Sequence, residues 1–252
     1  MIEIIPTNYT AAPDLLRDRI ILVTGAGDGI GRAAAITFAA HGATVILLGK
    51  TIAKLEAVYD EIEDAGYTQA AIYPMKLGGA KTQDYATLAE TIETEFGQLD
   101  GLLHNAGILG QRKNIQDTTD ADWNEVINVN LTSNFMLTKA LLPLLRNSED
   151  ASIVFTSSSV GRKGRACWGA YAISKFGVEG LAQVLADELD TTTNIRVNCI
   201  NPGATNTAMR RIAYPAELPS VNPIPEQIMA TYLYLFGADS KGITGKSFDA
   251  QR

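Results

Sequence analysis

Behind Arg19 runs an apolar stretch, Ile20-Ile21-Leu22-Val23, that stops at Thr24-Gly25. A short β-branched run of this kind reads as a strand buried on both faces, entering a turn. Alanine-rich Ile30 to His41 then has the composition of a helix, and Gly42 offers its stop before the next apolar run, Ala43 to Leu48. The same strand and helix alternation predicts a helix at about Ile52 to Ala65, a strand at about Ala70 to Tyr73, a helix at about Gln83 to Phe96 and a strand at Leu99 to His104. One long helix at about Asp122 to Leu145 follows, then a strand at Ser152 to Thr156, a helix at Tyr171 to Leu189 and a strand at Ile195 to Ile200. A helix at Glu226 to Phe236 and a short strand at Lys246 to Phe248 complete the series. Repeated βα units with fully apolar strands require a parallel sheet covered on both faces. The expectation is therefore a doubly wound α/β Rossmann fold, with about seven mostly parallel strands in one domain spanning 1–252. Residues 1–17 form an N-terminal extension, and the irregular stretch at about 204–225, which holds Pro215, Pro219, Pro223 and Pro225, forms a substrate loop or lid.

Composition narrows the setting. With 252 residues, 46% hydrophobic and 19% charged, the chain can bury one large core. A net charge of -7 opposes broad attraction to nucleic acid or anionic lipid. Cys167 and Cys199 fit neither a disulfide framework nor a metal-ligand spacing, so a reducing compartment, the cytoplasm, and no metal are expected. Met1 to Asp18 lacks a basic region followed by an apolar run, which argues against a secretory leader, and no stretch reaches the roughly 20 apolar residues of a membrane span.

The first turn is Thr24-Gly25-Ala26-Gly27-Asp28-Gly29-Ile30-Gly31. Glycines between a strand and a helix let backbone approach a pyrophosphate while the helix N-terminus supplies unpaired N–H donors. The spacing G-x-x-x-G-x-G resembles the short-chain dehydrogenase/reductase superfamily. At the end of the second strand stand Gly49 and Lys50. With no carboxylate to meet a ribose 2′-hydroxyl and a cation alongside, charge complementarity favours NADP over NAD. The superfamily commonly has an aspartate after the third strand, contacting adenine; here the segment is Met75-Lys76-Leu77, with Leu77 expected beside the cofactor. Either adenine binding is weakened or Lys76 meets the nucleotide in another way.

The other motifs recur in the superfamily's order. His104-Asn105-Ala106-Gly107 resembles its Asn-Asn-Ala-Gly segment, which implies that Asn105, Ala106 and Gly107 lie beside the cofactor; His104 reads as a hydrogen-bonded support of the turn rather than a catalyst. Asn130 falls on the long helix where the family places a catalytic asparagine, and a bent helix with an ordered water would explain the residue type. Tyr171 and Lys175, at i and i+4, share one helix face, and Ser158 precedes Tyr171 by thirteen residues. Carbonyl chemistry needs a proton donor on oxygen, and a tyrosine of pKa about 10 is poorly suited near neutrality. A nearby ammonium would lower that pKa. Lys175 can supply the charge and bond the nicotinamide ribose, while Ser158 can donate to the substrate oxygen and Asn130 can complete a relay through water. Pro202, Gly203 and Thr207, in Asn201-Pro202-Gly203-Ala204-Thr205-Asn206-Thr207, resemble the segment that holds the carboxamide side of the nicotinamide. Within the superfamily, Leu103 to Gly107, Phe155 to Arg162 and Phe248 to Gln251 resemble the bacterial YciK-like oxidoreductases.

The resemblance implies hydride transfer between NADP(H) and a small-molecule carbonyl or alcohol, in a homodimer or homotetramer. Apolar residues on the helices at Asp122 to Leu145 and Tyr171 to Leu189 exceed what one sheet face needs, which also points to a subunit contact. Arg162, Lys163, Arg165, Arg210 and Arg211 bracket the expected pocket. They admit either an acidic substrate or arginines that are solvated or at a subunit interface. Trp168 and Cys167 stand before Tyr171, as a pocket wall or as core packing. Two other functions stay open: a non-catalytic NADP-binding sensor or partner-binding protein, and epimerisation or dehydration through transient oxidation.

Overall fold

In a computed structural model that describes residues 2–6 and 9–251, eight strands form one sheet in the order β1-β8-β7-β6-β5-β2-β3-β4, every pair parallel. In chain order these are β1 (Ile2–Glu3), β2 (Ile20–Thr24), β3 (Thr44–Gly49), β4 (Ala71–Pro74), β5 (Gly101–His104), β6 (Ser152–Thr156), β7 (Arg196–Asn201) and β8 (Ser247–Asp249). The pattern predicts about seven; the eighth is β1, which lies in the expected N-terminal extension and pairs Ile2 with Ser247 and Glu3 with Phe248. Residues 1, 7 and 8 of that extension, and 252, lie outside those described.

Alternate strand residues feed two separate cores, the signature of a sheet buried on both faces. Ile21, Val23, Val45 and Leu47 pack with α1 (Gly29–Ala40), α2 (Ile52–Asp64) and α8 (Met229–Phe236). Leu22, Ile46 and Leu48 pack with α3 (Thr82–Phe96), α5 (Ser133–Arg146) and α6 (Gly169–Asp190). Gly42, at φ +97, lets the chain leave α1 for β3.

Two helical expectations change. The single helix expected over Asp122 to Leu145 is α4 (Asp120–Ile127), a π-helical segment at Asn128–Thr132, and α5. The stretch expected to be irregular after Ala204 contains α7 (Ala208–Ala213), capped by Thr207, whose hydroxyl accepts from the Arg210 N–H at 3.2 Å. Sheet order reverses between β2 and β5, so the crevice beyond their C-terminal ends is where an open α/β sheet binds ligands.

Candidate functional site

The glycine turn and the segment after β5 are tied together by Thr24. Its hydroxyl accepts from the Asn105 and Ala106 N–H groups, at 2.9 and 3.0 Å, and donates to the Leu103 carbonyl at 3.2 Å. Gly25 has φ +69. Gly31 lies against it so closely that a Cβ there would stand 2.2 Å from the Gly25 carbonyl oxygen and 2.6 Å from Asn105 Nδ2. Asp28 caps α1 by accepting from Gly29 N–H at 2.7 Å and pairs with Lys54, whose ammonium holds its carboxyl below the usual carboxylate range.

A cleft of about 400 Å³ opens at this point. Gly25, Gly27, Asp28, Gly29 and Ile30 form its floor, Gly49, Lys50 and Leu77 one wall, and Asn105, Ala106 and Gly107 another. Tyr171, Lys175, Pro202 and Thr207 close the far end. Of the residues expected to line a dinucleotide, Gly31 and Gly203 do not. Gly31 is packed beneath the turn, and Gly203 (φ +72) faces Gln251, whose Nε2 donates to the Pro202 and Ala204 carbonyls at 2.7 and 2.9 Å. The C-terminal segment thus braces the turn after β7. Lys76 lines the cleft and also a neighbouring cavity beside Tyr73, Asp84 and Thr87.

The four residues expected to carry chemistry are brought together, though not all at the surface. Ser158 stands close enough to the Tyr171 phenol to favour its ionised form. Ser158 also caps the short 3₁₀ turn at Ser159–Gly161, accepting from Val160 N–H at 3.5 Å. Lys175 is 4% exposed; its Nζ donates to the Thr156 carbonyl at 2.7 Å and lies 5.7 Å from the Tyr171 ring centroid. Asn130 is fully buried behind the cleft. Its Oδ1 accepts from Ile108 N–H at 2.8 Å, and its Nδ2 donates to the Ile108 carbonyl at 2.9 Å and to Ser174 Oγ at 3.0 Å. The π segment carries this residue, so the bend expected of the helix is a change of helical register that turns an amide against the loop after β5. A Cβ on Gly107 would stand 3.5 Å from Asn130 Oδ1 and 3.8 Å from Lys175 Nζ, so glycine keeps the space between them open.

Electrostatics departs from the sequence expectation. Burial pushes the Tyr171 phenol up to about 12, against a smaller lowering by nearby Ser158, and pushes Lys175 down to about 8. Desolvation sets both directions, and the lowering expected from the ammonium is not what governs the phenol. His104 behaves as a support: its Nε2 pairs with Thr138 Oγ1 at 2.8 Å, its ring stacks on Phe155 with centroids 4.5 Å apart, and burial lowers its pKa to about 3.

Some residues at the site are not among those the sequence assigns to it. Ser157 and Thr156 line the cleft with buried hydroxyls that have no protein partner among the described residues. Arg112 and Tyr214 meet Trp168 above Tyr171, and only three-dimensional proximity joins them. Of the bracketing cations, Lys163, Arg165 and Arg211 are exposed, and two are tied into the fold. Arg162 is largely buried and bonds Glu179, Asp249 and Ser247, tying α6 to β8. Arg210 forms a two-bonded pair with Glu217. Neither points a free charge into the cleft.

Among the described residues there is no group of three or more metal-ligating side chains, and no helix is long and apolar enough to cross a membrane.

Comparison with known proteins agrees with the fold and with the motifs. The family described as short chain dehydrogenase matches residues 19–217. The uncharacterized oxidoreductase YciK of Escherichia coli K12 is 51% identical over 97% of this chain and 96% of its own. A solved structure from Pseudomonas syringae, assigned to the short chain dehydrogenases, is 58% identical, covers 97% of this chain and 99% of that one, and has a TM-score of 0.95. Another, from Escherichia coli CFT073 and complexed with NADPH, is 52% identical over 96% of this chain and 100% of that one, with a TM-score of 0.92. The chain is an oxidoreductase of the short chain dehydrogenase family, whose members bind a nicotinamide cofactor and act on small molecules.

Proposed function

We propose that the protein is an NADP-dependent reductase of a carbonyl substrate, or the reverse dehydrogenase, with Tyr171 holding the proton that passes to or from the substrate oxygen. The observation that carries the reading is that Tyr171 and Lys175, with Ser158 near the phenol, line the same cleft as the glycine turn.

The residues fit a dinucleotide. Gly25 and Gly31 leave a cradle that a Cβ on either would disturb, and the start of α1 offers N–H donors to a pyrophosphate. Lys50, exposed at the tip of β3, suits a 2′-phosphate and has no carboxylate beside it in sequence. The NADPH complex of the Escherichia coli CFT073 relative supports the same choice. Gly27, Asp28, Gly29, Ile30, Gly49, Leu77, Asn105, Ala106, Gly107, Pro202 and Thr207 would hold the rest. When bound, the nicotinamide supplies or accepts the hydride.

The chain's own groups do the remainder. Burial keeps the Tyr171 phenol protonated, which is the form able to donate to a carbonyl oxygen. Ser158 can hydrogen-bond the same oxygen as charge develops on it. Lys175, at about 8, stays cationic at neutrality and favours that charge. Asn130 fixes Ile108 and Ser174, and through them the position of α6 against the loop after β5. Exposed Phe135 on α5 with Ile173, Phe176 and Val184 on α6 support assembly as a homodimer or homotetramer.

Titration with NADPH and NADH, followed by NADPH oxidation over a panel of aldehydes, ketones and quinones, tests the reading with Tyr171→Phe as control. The expected result is tighter NADPH binding and turnover that the substitution reduces by at least about 10²-fold. NADPH binding with no Tyr171-dependent turnover on any panel member would instead favour a sensor.

A further inference from the structure

We infer that the substrate carries an anionic group, carboxylate or phosphate, held by Arg112 and Arg165 over the rings of Trp168 and Tyr214. The inference deepens the reductase reading and rests on it for the position of the reacting oxygen at Tyr171.

Three segments meet above Tyr171. The loop after β5 brings Arg112, the segment before α6 brings Arg165 and Trp168, and the end of α7 brings Tyr214. Trp168 is the hinge of the cluster: its ring centroid lies 5.8 Å from that of Tyr171 and 5.9 Å from that of Tyr214. Cys167, just before it, holds φ +66, a left-handed conformation uncommon outside glycine, and its thiol reaches Asn114 Oδ1 at 3.5 Å. The chain accepts this strain to keep Trp168 turned inward, where it is 8% exposed with its indole N–H buried and without an acceptor among the described residues.

Both guanidiniums sit on this platform, beside Arg210, which is already paired with Glu217 and lies 3.8 Å from the Tyr214 centroid. Arg112 lies 4.9 Å from the Trp168 centroid and 5.3 Å from that of Tyr214, and Arg165 lies 5.9 Å from each. Cation and ring attraction explains part of the placement, but two like charges on one pair of rings repel each other. Every other arginine of the region is neutralised or engaged: Arg162 by Glu179 and Asp249, Arg210 by Glu217, Arg211 by Asn206. Arg112 and Arg165 have no carboxylate partner within 4.0 Å among the described residues. Arg112 donates to the Ala213 carbonyl and Arg165 to the Tyr214 hydroxyl at 2.7 Å, which leaves most of their five N–H donors each uncommitted. In a chain of net charge -7 these two are not a general surplus of cations. An anion bound by both forks, with its carbonyl at Tyr171, offsets the repulsion between them.

The test is calorimetric binding to the NADP-saturated protein of matched pairs: 4-formylbenzoate and levulinate, each against its methyl ester, and glyceraldehyde 3-phosphate against glyceraldehyde. The expected result is about tenfold or greater preference for the anion in at least one pair, with the carboxylate and phosphate arms showing which anion is preferred. Arg112→Gln/Arg165→Gln brings the anion-to-neutral ratio close to one, and the Arg112→Lys/Arg165→Lys variant recovers part of it. Retained NADPH binding by each variant reports an intact fold. Tyr171→Phe keeps the charge preference, so loss of turnover in that variant and loss of preference in the arginine variants fail independently. Equal affinity within every pair, no binding of any probe, or a preference unchanged in Arg112→Gln/Arg165→Gln overturns the inference.

Discussion

Lys175 holds its ammonium 5.7 Å from the ring centroid of Tyr171 while donating to the carbonyl of Thr156, one turn along α6 from the phenol and almost wholly buried. Desolvation pushes each group toward its neutral form, the phenol upward and the amine downward. At neutral pH the phenol is therefore protonated and the ammonium charged.

A pH profile follows from those directions. Reduction requires protonated Tyr171, raised to about 12, and cationic Lys175, lowered to about 8. The value of kcat/KM for reduction should be level from about pH 6 to 7, fall to about half near pH 8 and decline further above it as Lys175 loses its proton, with Tyr171 still protonated. Steady-state rates with NADPH across pH 6 to 10 check this. A profile level to pH 10 would remove Lys175 charge from the chemistry.

The same burial bears on stability. Below pH 8 the folded protein carries a buried cation that the unfolded chain keeps in water. Between about 8 and 10 the unfolded chain, with lysine at 10.5, binds more protons than the folded one, so this group's contribution to stability rises with pH. Lys175→Met removes a burial cost of about 3 kcal/mol and loses one hydrogen bond worth about 1 kcal/mol. At pH 7 the variant should melt roughly 4–8 °C higher by calorimetry while losing activity, a trade of stability against function. A lower melting temperature at pH 7 would mean that the bond to Thr156 outweighs desolvation.

The architecture was legible because it is written in local pattern: short β-branched apolar runs such as Ile20 to Val23, ending at turn residues, read as buried strands, and the glycine turn follows one of them directly. What the pattern misses has physical reasons. β1 is two residues, too short for a period to register, and exists only because β8 offers an edge. The π segment at Asn128–Thr132 changes register without changing the apolar stripe that announces a helix. Arg162 resembles a pocket cation by position, yet its partners Glu179, Ser247 and Asp249 stand 17, 85 and 87 residues away. The direction of the Tyr171 shift depends on burial, which neighbours in sequence do not report.

Asn130 should prove a brace whose loss is felt in the fold and in the chemistry together. Its amide meets both backbone groups of Ile108 and the hydroxyl of Ser174, beside Lys175. Asn130→Ala leaves the Ile108 N–H and carbonyl without this partner, at about 1–3 kcal/mol for each group that stays buried. A melting temperature lower by roughly 5–15 °C and a reduced kcat with NADPH affinity largely kept are expected, read by calorimetry and steady-state kinetics. An unchanged melting temperature would show that the loop after β5 does not depend on the π segment.

The glycine turn offers the sharpest steric test. A methyl group at Gly31 would stand 2.2 Å from the Gly25 carbonyl oxygen and 2.8 Å from the Gly25 carbonyl carbon, and backbone cannot rotate out of the way as a side chain can. Gly31→Ala must therefore push α1 away from the turn, moving its first residues, Gly29 and Ile30, relative to Asn105 and Ala106. The cost should be about 1–3 kcal/mol in stability, with at least tenfold weaker NADPH binding. Gly79, with nothing within 4 Å of its Cβ position, supplies the control: Gly79→Ala should leave both quantities within experimental error. Fluorescence titration with NADPH and thermal unfolding of the two variants separate the cases. If Gly31→Ala binds NADPH as tightly as the parent, close packing of α1 on the turn is not what shapes the cradle.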